Sequence, residues 1–129
     1  MSNPIFTVHA SAAETATANG SFMQIPADLA DRVRGVILSL DITAASGTTP
    51  TLDIKVQRHN VLGADFIDLP SAAFAQKTAT GTDDLIVYPG IAETANRSVS
   101  DICRDFRLVY TIGGTTPSFT FSIQGEWLV

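Results

Sequence analysis

Cysteine is nearly absent from this chain. Cys103 stands alone among 129 residues, so no disulfide can close within it. Its setting, Asp101-Ile102-Cys103-Arg104-Asp105, lies where a strand begins. A small buried hydrophobe fits that position better than a reactive thiol. Charge is also scarce: Asp, Glu, Lys and Arg make up 16% of residues, against roughly 25% in average globular domains. The eight Lys and Arg side chains, among them Lys55, Arg58, Lys77 and Arg97, form no cluster, and acids outnumber them to a net charge of −5. Without a basic stripe to displace counterions from phosphate, nucleic acid is not expected as a partner.

Long apolar runs are missing as well. None approaches the ~20 residues of a membrane-spanning helix. Met1-Ser2-Asn3-Pro4-Ile5 shows neither the basic nor the apolar region of a signal peptide. The expected product is soluble and made in the cytoplasm. Catalytic spacing is absent too: there is no Gly-x-Ser-x-Gly, P-loop, Gly-x-Gly-x-x-Gly or His-Glu-x-x-His. His9 and His59 lie far apart with no partner motif. Gly81-Thr82-Asp83-Asp84 is too short for a calcium loop and reads as a solvated turn, and Asp101 with Asp105 is the other carboxylate grouping. Hence no enzyme, metal or cofactor is expected.

What is present is a stretch that occurs twice. Residues 46–57 read Ser-Gly-Thr-Thr-Pro-Thr-Leu-Asp-Ile-Lys-Val-Gln, and residues 113–124 read Gly-Gly-Thr-Thr-Pro-Ser-Phe-Thr-Phe-Ser-Ile-Gln. Each follows an alternating run, Val36 to Thr43 and Phe106 to Ile112. Period two marks strands with one buried face. The inward rows are then Val36, Leu38, Leu40 and Ile42 with Leu52, Ile54 and Val56, and Phe106, Leu108, Tyr110 and Ile112 with Phe119, Phe121 and Ile123. Asp53, Lys55 and Gln57 face out. Gly47 and Gly114 supply positive φ in a turn, while Thr49 and Thr116, each before a proline, are expected in extended geometry. The spacing predicts two β-hairpins turning at Gly-Thr-Thr-Pro.

The remaining strands are short: Pro4–Ala10, Ser21–Ile25, Asp65–Leu69 ended by Pro70, Phe74–Thr78 and Asp84–Tyr88. A helical turn is expected near Pro26–Asp31, a turn at Gly81–Asp84 and a loop over 91–103. About eight strands at intervals of roughly 8–12 residues predict a single-domain, all-β β-sandwich or jelly roll. Residues 1–20 are set apart as an N-terminal arm, since 11–20 are Ala/Thr-rich and lack large apolar side chains; the domain proper is 21–129. An ordered arm of that composition lies against its own sheet or against a neighbouring subunit. His9 reads as structural or exposed, not as a ligand. The chain closes on Trp127-Leu128-Val129, which either docks on the core or meets a partner.

The two Gly-Thr-Thr-Pro stretches with their flanking strands, together with Asp65-Phe66-Ile67-Asp68-Leu69-Pro70, resemble small structural proteins of tailed bacteriophages over residues 34–124. Head decoration (cement) proteins are the most similar characterised group. The resemblance implies a virion protein on the outer capsid, binding the major capsid protein and self-associating, with a trimer favoured. It carries no catalytic or binding residues over. The candidate interface read from the chain ends is Pro4, Ile5, Phe6, Val8, Trp127, Leu128 and Val129. A glycan-binding attachment module is the alternative, with Trp127, Tyr88 and Phe66 as candidate platform residues; a tail or neck protein is another.

Overall fold

The structure is a computed structural model that describes residues 3–60, 62, 65–89, 97–98 and 105–129. It is nearly all β. The strands are β1 (Ile5–Glu14), β2 (Ala18–Asn19), β3 (Met23–Gln24), β4 (Gly35–His59), β5 (Phe66–Ala73), β6 (Gly81–Val87), β7 (Arg97–Ser98) and β8 (Asp105–Leu128). One 3₁₀ turn, Ala27–Leu29, stands where a helical turn was expected. All strands join one sheet in the order β1-β8-β4-β6-β7, with β2 and β3 on β8 and β5 on β4. Every ladder is antiparallel except the short β6·β7 pair.

The two predicted hairpins do not form. β4 and β8 each run straight through their Gly-Thr-Thr-Pro segment and pair with one another from Gly35↔Leu128 to Arg58↔Phe106. The two copies meet at Thr48↔Thr115, with register shifts on either side. They are matched corners in a two-stranded ribbon, not reversals of it. Gly47 and Gly114 share a φ of 111°, and Thr49 and Thr116 share a φ of 46°. The extended geometry expected of the two threonines is therefore overturned. The corner needs positive φ at this position, and the side chain adapts locally: each threonine Oγ1 donates to the preceding carbonyl oxygen at 2.8 Å.

The corner folds the ribbon back on itself. Tyr110 and Phe121 lie 11 positions apart on β8, roughly 36 Å along an extended strand, yet their ring centroids are 5.3 Å apart. Phe106 and Trp127, further apart still in sequence, have centroids at 5.9 Å. The two ends of the ribbon thus face each other across one core. Its members are the inward rows expected from alternation: Val36, Leu38, Leu40, Ile42, Leu52, Ile54, Val56, Phe106, Leu108, Tyr110, Phe119, Phe121 and Ile123 are all buried, and Ile112 is half-buried at the corner.

Neighbours along the folded ribbon follow from the ladders. On one side of the corner the order is β1, the end of β8, the start of β4, then β6. On the other it is β2 and β3, the start of β8, the end of β4, then β5. Residues 3–24 therefore strap the outer edge of β8 and turn with it; at the bend Thr17 Oγ1 accepts from the Ile112 N–H at 3.0 Å. Of the two placements open to the N-terminal segment, the structure has it on its own sheet.

Three smaller expectations change. Pro70 does not end β5, which continues to Ala73 through a bulge where Ser71 has φ 57°. Among the described residues β5 is ladder-bonded only to β4, and an edge strand tolerates proline. Phe74–Thr78 contributes only an isolated bridge, Leu52↔Lys77. Gly81–Asp84 opens β6 instead of forming a turn. Cys103, Asp101 and most of the 91–103 loop lie outside the described residues.

Candidate interaction surface

The two chain ends meet at one corner of the sheet. β1 and β8 run antiparallel there, so Ile5 lies directly opposite Glu126 and Phe6 opposite Gly125. The Trp127 N–H donates to the Pro4 carbonyl at 2.9 Å, and Asn3 Nδ2 donates to Glu126 Oε2 at 3.0 Å. The Arg34 N–H reaches the Leu128 carbonyl at 2.8 Å. The Phe6 ring stacks on Trp127 with centroids 4.2 Å apart and planes at 16°.

These contacts divide the seven candidate interface residues. Trp127 is 2% exposed and Val8 6%, both in the core, and half-buried Phe6 packs against them. Pro4 and Leu128 are half-buried. Only Ile5, 71% exposed, and Val129, 45% exposed, present a large apolar side chain to solvent. Beside them a surface cavity of about 340 Å³ is lined by Asn3, Asp31, Arg32, Arg34 and Val129. Next to it a second, of about 240 Å³, is lined by Val33, Arg34, Tyr88 and Pro89. Val129 shares its cavity with the exposed Arg32 and Arg34, while Ile5 stands opposite Glu126 on the ladder.

Further along β1 lies a polar cluster that alternation does not reveal. His9 Nε2 is 3.0 Å from Glu14 Oε1 and Nδ1 is 3.0 Å from the Phe121 carbonyl oxygen. The imidazole is stacked on Phe121, centroids 4.3 Å apart. Five positions in a regular strand span roughly 16 Å; the register shift between His9 and Ala12 falls inside that span and shortens it. Both ring nitrogens thus face oxygen atoms. Tyr110 closes the cluster with its ring edge toward His9, centroids 5.3 Å apart. Its hydroxyl is buried without a partner among the described residues. Burial, with the Glu14 charge adding to it, pushes the phenol up to about 12.

A third surface covers the outer face of the other half of the ribbon. The outward row Arg107, Gln57 and Asp68 crosses β8, β4 and β5. Arg107 Nε donates to Gln57 Oε1 at 3.0 Å, and Gln57 Nε2 donates to Asp68 Oδ1 at 2.8 Å. Lys55 Nζ lies 3.0 Å from Asp68 Oδ2. The Gln57 and Lys55 hydrogen bonds hold the Asp68 carboxyl below its ordinary value. Arg107 Cζ sits 3.8 Å over the Phe66 ring, and Phe22, 46% exposed, meets both Phe66 and His59 edge-on. The outward positions on β4 were legible from alternation. Phe22 and Arg107 were not, because they meet Phe66 only once β5 pairs with β4 and β4 with β8.

These placements bear on the platform residues of the glycan alternative. Trp127 is buried beneath Phe6, and Arg107 covers one face of Phe66. Tyr88 is half-buried against the smaller cavity. Among the described residues, no group of three or more His, Cys, Asp or Glu side chains is placed to hold a metal ion. The outward-facing acids are engaged locally: Gln76 donates to Asp53, and Lys77 pairs with Asp83. No protein-family model and no curated protein sequence matches this chain.

Proposed function

We propose that the chain is a non-catalytic virion structural protein, a decoration (cement) protein on the outer head of a tailed bacteriophage. One observation carries the reading. When each long strand is counted as two across its corner, β2 and β3 as one, and the two-residue β7 is set aside, we read eight segments in two four-stranded layers. One layer holds the first, eighth, third and sixth segments, and the other the second, seventh, fourth and fifth. We read that order as a jelly roll's, an eight-stranded architecture shared by viral capsid and lectin domains. The folded-back ribbon is accordingly read as a β-sandwich.

Between the two uses of that architecture, the surface favours protein contact. Ile5 and Val129 are both exposed at the end of the sheet where the chain ends converge, whereas Arg107 already covers one face of Phe66. Ala10, Ser11, Ala12 and Ala13 expose a neutral strip along β1 that costs little to desolvate. The partner on this reading is the major capsid protein, met by the corner where the chain ends converge. The protein self-associates, with a trimer favoured, on the lattice.

Purified phage particles test the proposal directly. Quantitative mass spectrometry of full heads should find this chain in fixed stoichiometry to the major capsid protein. Ile5→Asp with Val129→Asp should cut binding to heads at least tenfold while leaving circular dichroism unchanged. Absence of the chain from purified heads would overturn the reading, and saturable binding to a glycan array in that case would favour the attachment module.

A further inference from the structure

The edge of β8 is a built groove, and β1 fills it imperfectly. Gly125 has no side chain, and the Phe6 ring occupies the space where one would stand, flat against Trp127. Two positions further on, Val8 is buried. Yet Val8, Ala10 and Ser11 fall outside the β1·β8 register, and Ala10 to Ala13 pack nothing large. The strap is thus held by one aromatic socket, one buried valine, an interrupted ladder and the His9–Glu14 cluster. A segment secured so locally opens at a small fraction of global stability. The connection that follows β3, residues 25–34, contains a single 3₁₀ turn and no ladder strand.

We propose that the outer edge of β8 is a strand-acceptor site, and that on self-association it takes residues 5–14 of a second copy of this chain. The socket selects the occupant. It fits an aromatic ring followed two residues later by a small apolar side chain, which is the Phe6-Thr7-Val8 pattern of the strap itself. Charge permits it: each copy is acidic overall, but β1 carries a single carboxylate, Glu14, and that one is already held by His9. Reach permits it as well when β2 and β3 leave β8 together with β1, since residues 15–34 extended then span up to roughly 66 Å. Each copy then carries one donor and one acceptor. Such a head-to-tail interface gives a ring where the rotation between copies closes, a trimer being one size, and an open filament where it does not. The proposal is independent of capsid binding: strand exchange can hold in solution while head association fails, and the reverse.

Ile5 and Glu126 face each other directly in the ladder, within the range a disulfide spans. One population carries Ile5→Cys and another Glu126→Cys, with each single variant mixed with the parent chain to measure background from Cys103. The two are mixed at high concentration, oxidised and run on a non-reducing gel. Exchange predicts a covalent heterodimer at least fivefold above both backgrounds and above a control pairing Ile5→Cys with Ser39→Cys, which lies exposed on β4. A chain carrying both substitutions should close on itself when dilute and form covalent oligomers when concentrated. Heterodimer at background level, with the double variant closing only within itself, would overturn exchange. A double variant that closes neither way would overturn the acceptor site.

Discussion

Phe6 packs its ring into the space that a side chain on Gly125 would need, directly across the β1·β8 ladder. The two positions are one steric unit: the ring stacks on Trp127 only because the residue beside it has no Cβ. Gly125→Ala should therefore expel Phe6 and destabilise the fold by about 1–3 kcal/mol, the usual cost of overpacking a filled site. Phe6→Ala should lose its stacking and burial. The double variant should lose less than the two single losses combined, because the added methyl then enters vacated space. Urea denaturation of the four proteins measures the coupling, and strict additivity would separate the two residues.

The corner makes a second, symmetric prediction. A Cβ on Gly47 would lie 2.8 Å from the Thr116 carbonyl oxygen and 2.9 Å from Pro117 Cα. A Cβ on Gly114 would lie 2.7 Å from the Thr49 carbonyl oxygen and 2.9 Å from Pro50 Cα. Each glycine also holds a φ of 111°, which L side chains rarely adopt. Gly47→Ala and Gly114→Ala should each cost about 1–3 kcal/mol or more, and by similar amounts, since each copy presses on the other. Gly81→Ala, with φ 152° but nothing within 4 Å, should cost less. Comparing denaturation midpoints decides it: a Gly81→Ala loss as large as the other two would remove the corner's crowding from the account.

Those same glycines mark where the sequence could be read and where it could not. Alternation on both sides of each Gly-Thr-Thr-Pro identified the buried faces, because side-chain period is a local property of strands. It could not choose between a hairpin and a corner, since both put turn residues between two alternating runs. That choice is made by pairing across about 70 positions, from Thr48 to Thr115, which one sequence alone does not display. The His9–Glu14 contact was hidden for a related reason: it depends on bulges in β1, and bulges break the spacing rules used to look for partners. At the chain ends, apolar character alone could not sort the residues: pairing sends Trp127 inward and leaves Ile5 and Val129 outside.

Tyr110 supplies the pH-dependent prediction. Its hydroxyl is buried with no partner among the described residues, so the polar atom costs desolvation without a hydrogen bond in return. Tyr110→Phe should leave stability near pH 8 unchanged or raise it by up to about 1 kcal/mol. The alkaline limb runs the other way. The unfolded phenol ionises near about 10, whereas the folded one is pushed up to about 12 by burial and by the Glu14 charge. The folded state therefore holds its proton more tightly. Stability from this group is fully present below about pH 10 and is lost as pH rises toward about 12. Urea midpoints at pH 8 and pH 11 should fall for the parent chain and fall less for Tyr110→Phe. Equal losses in the two proteins would mean that the alkaline transition belongs to other groups and that the Tyr110 hydroxyl is not held in the folded core.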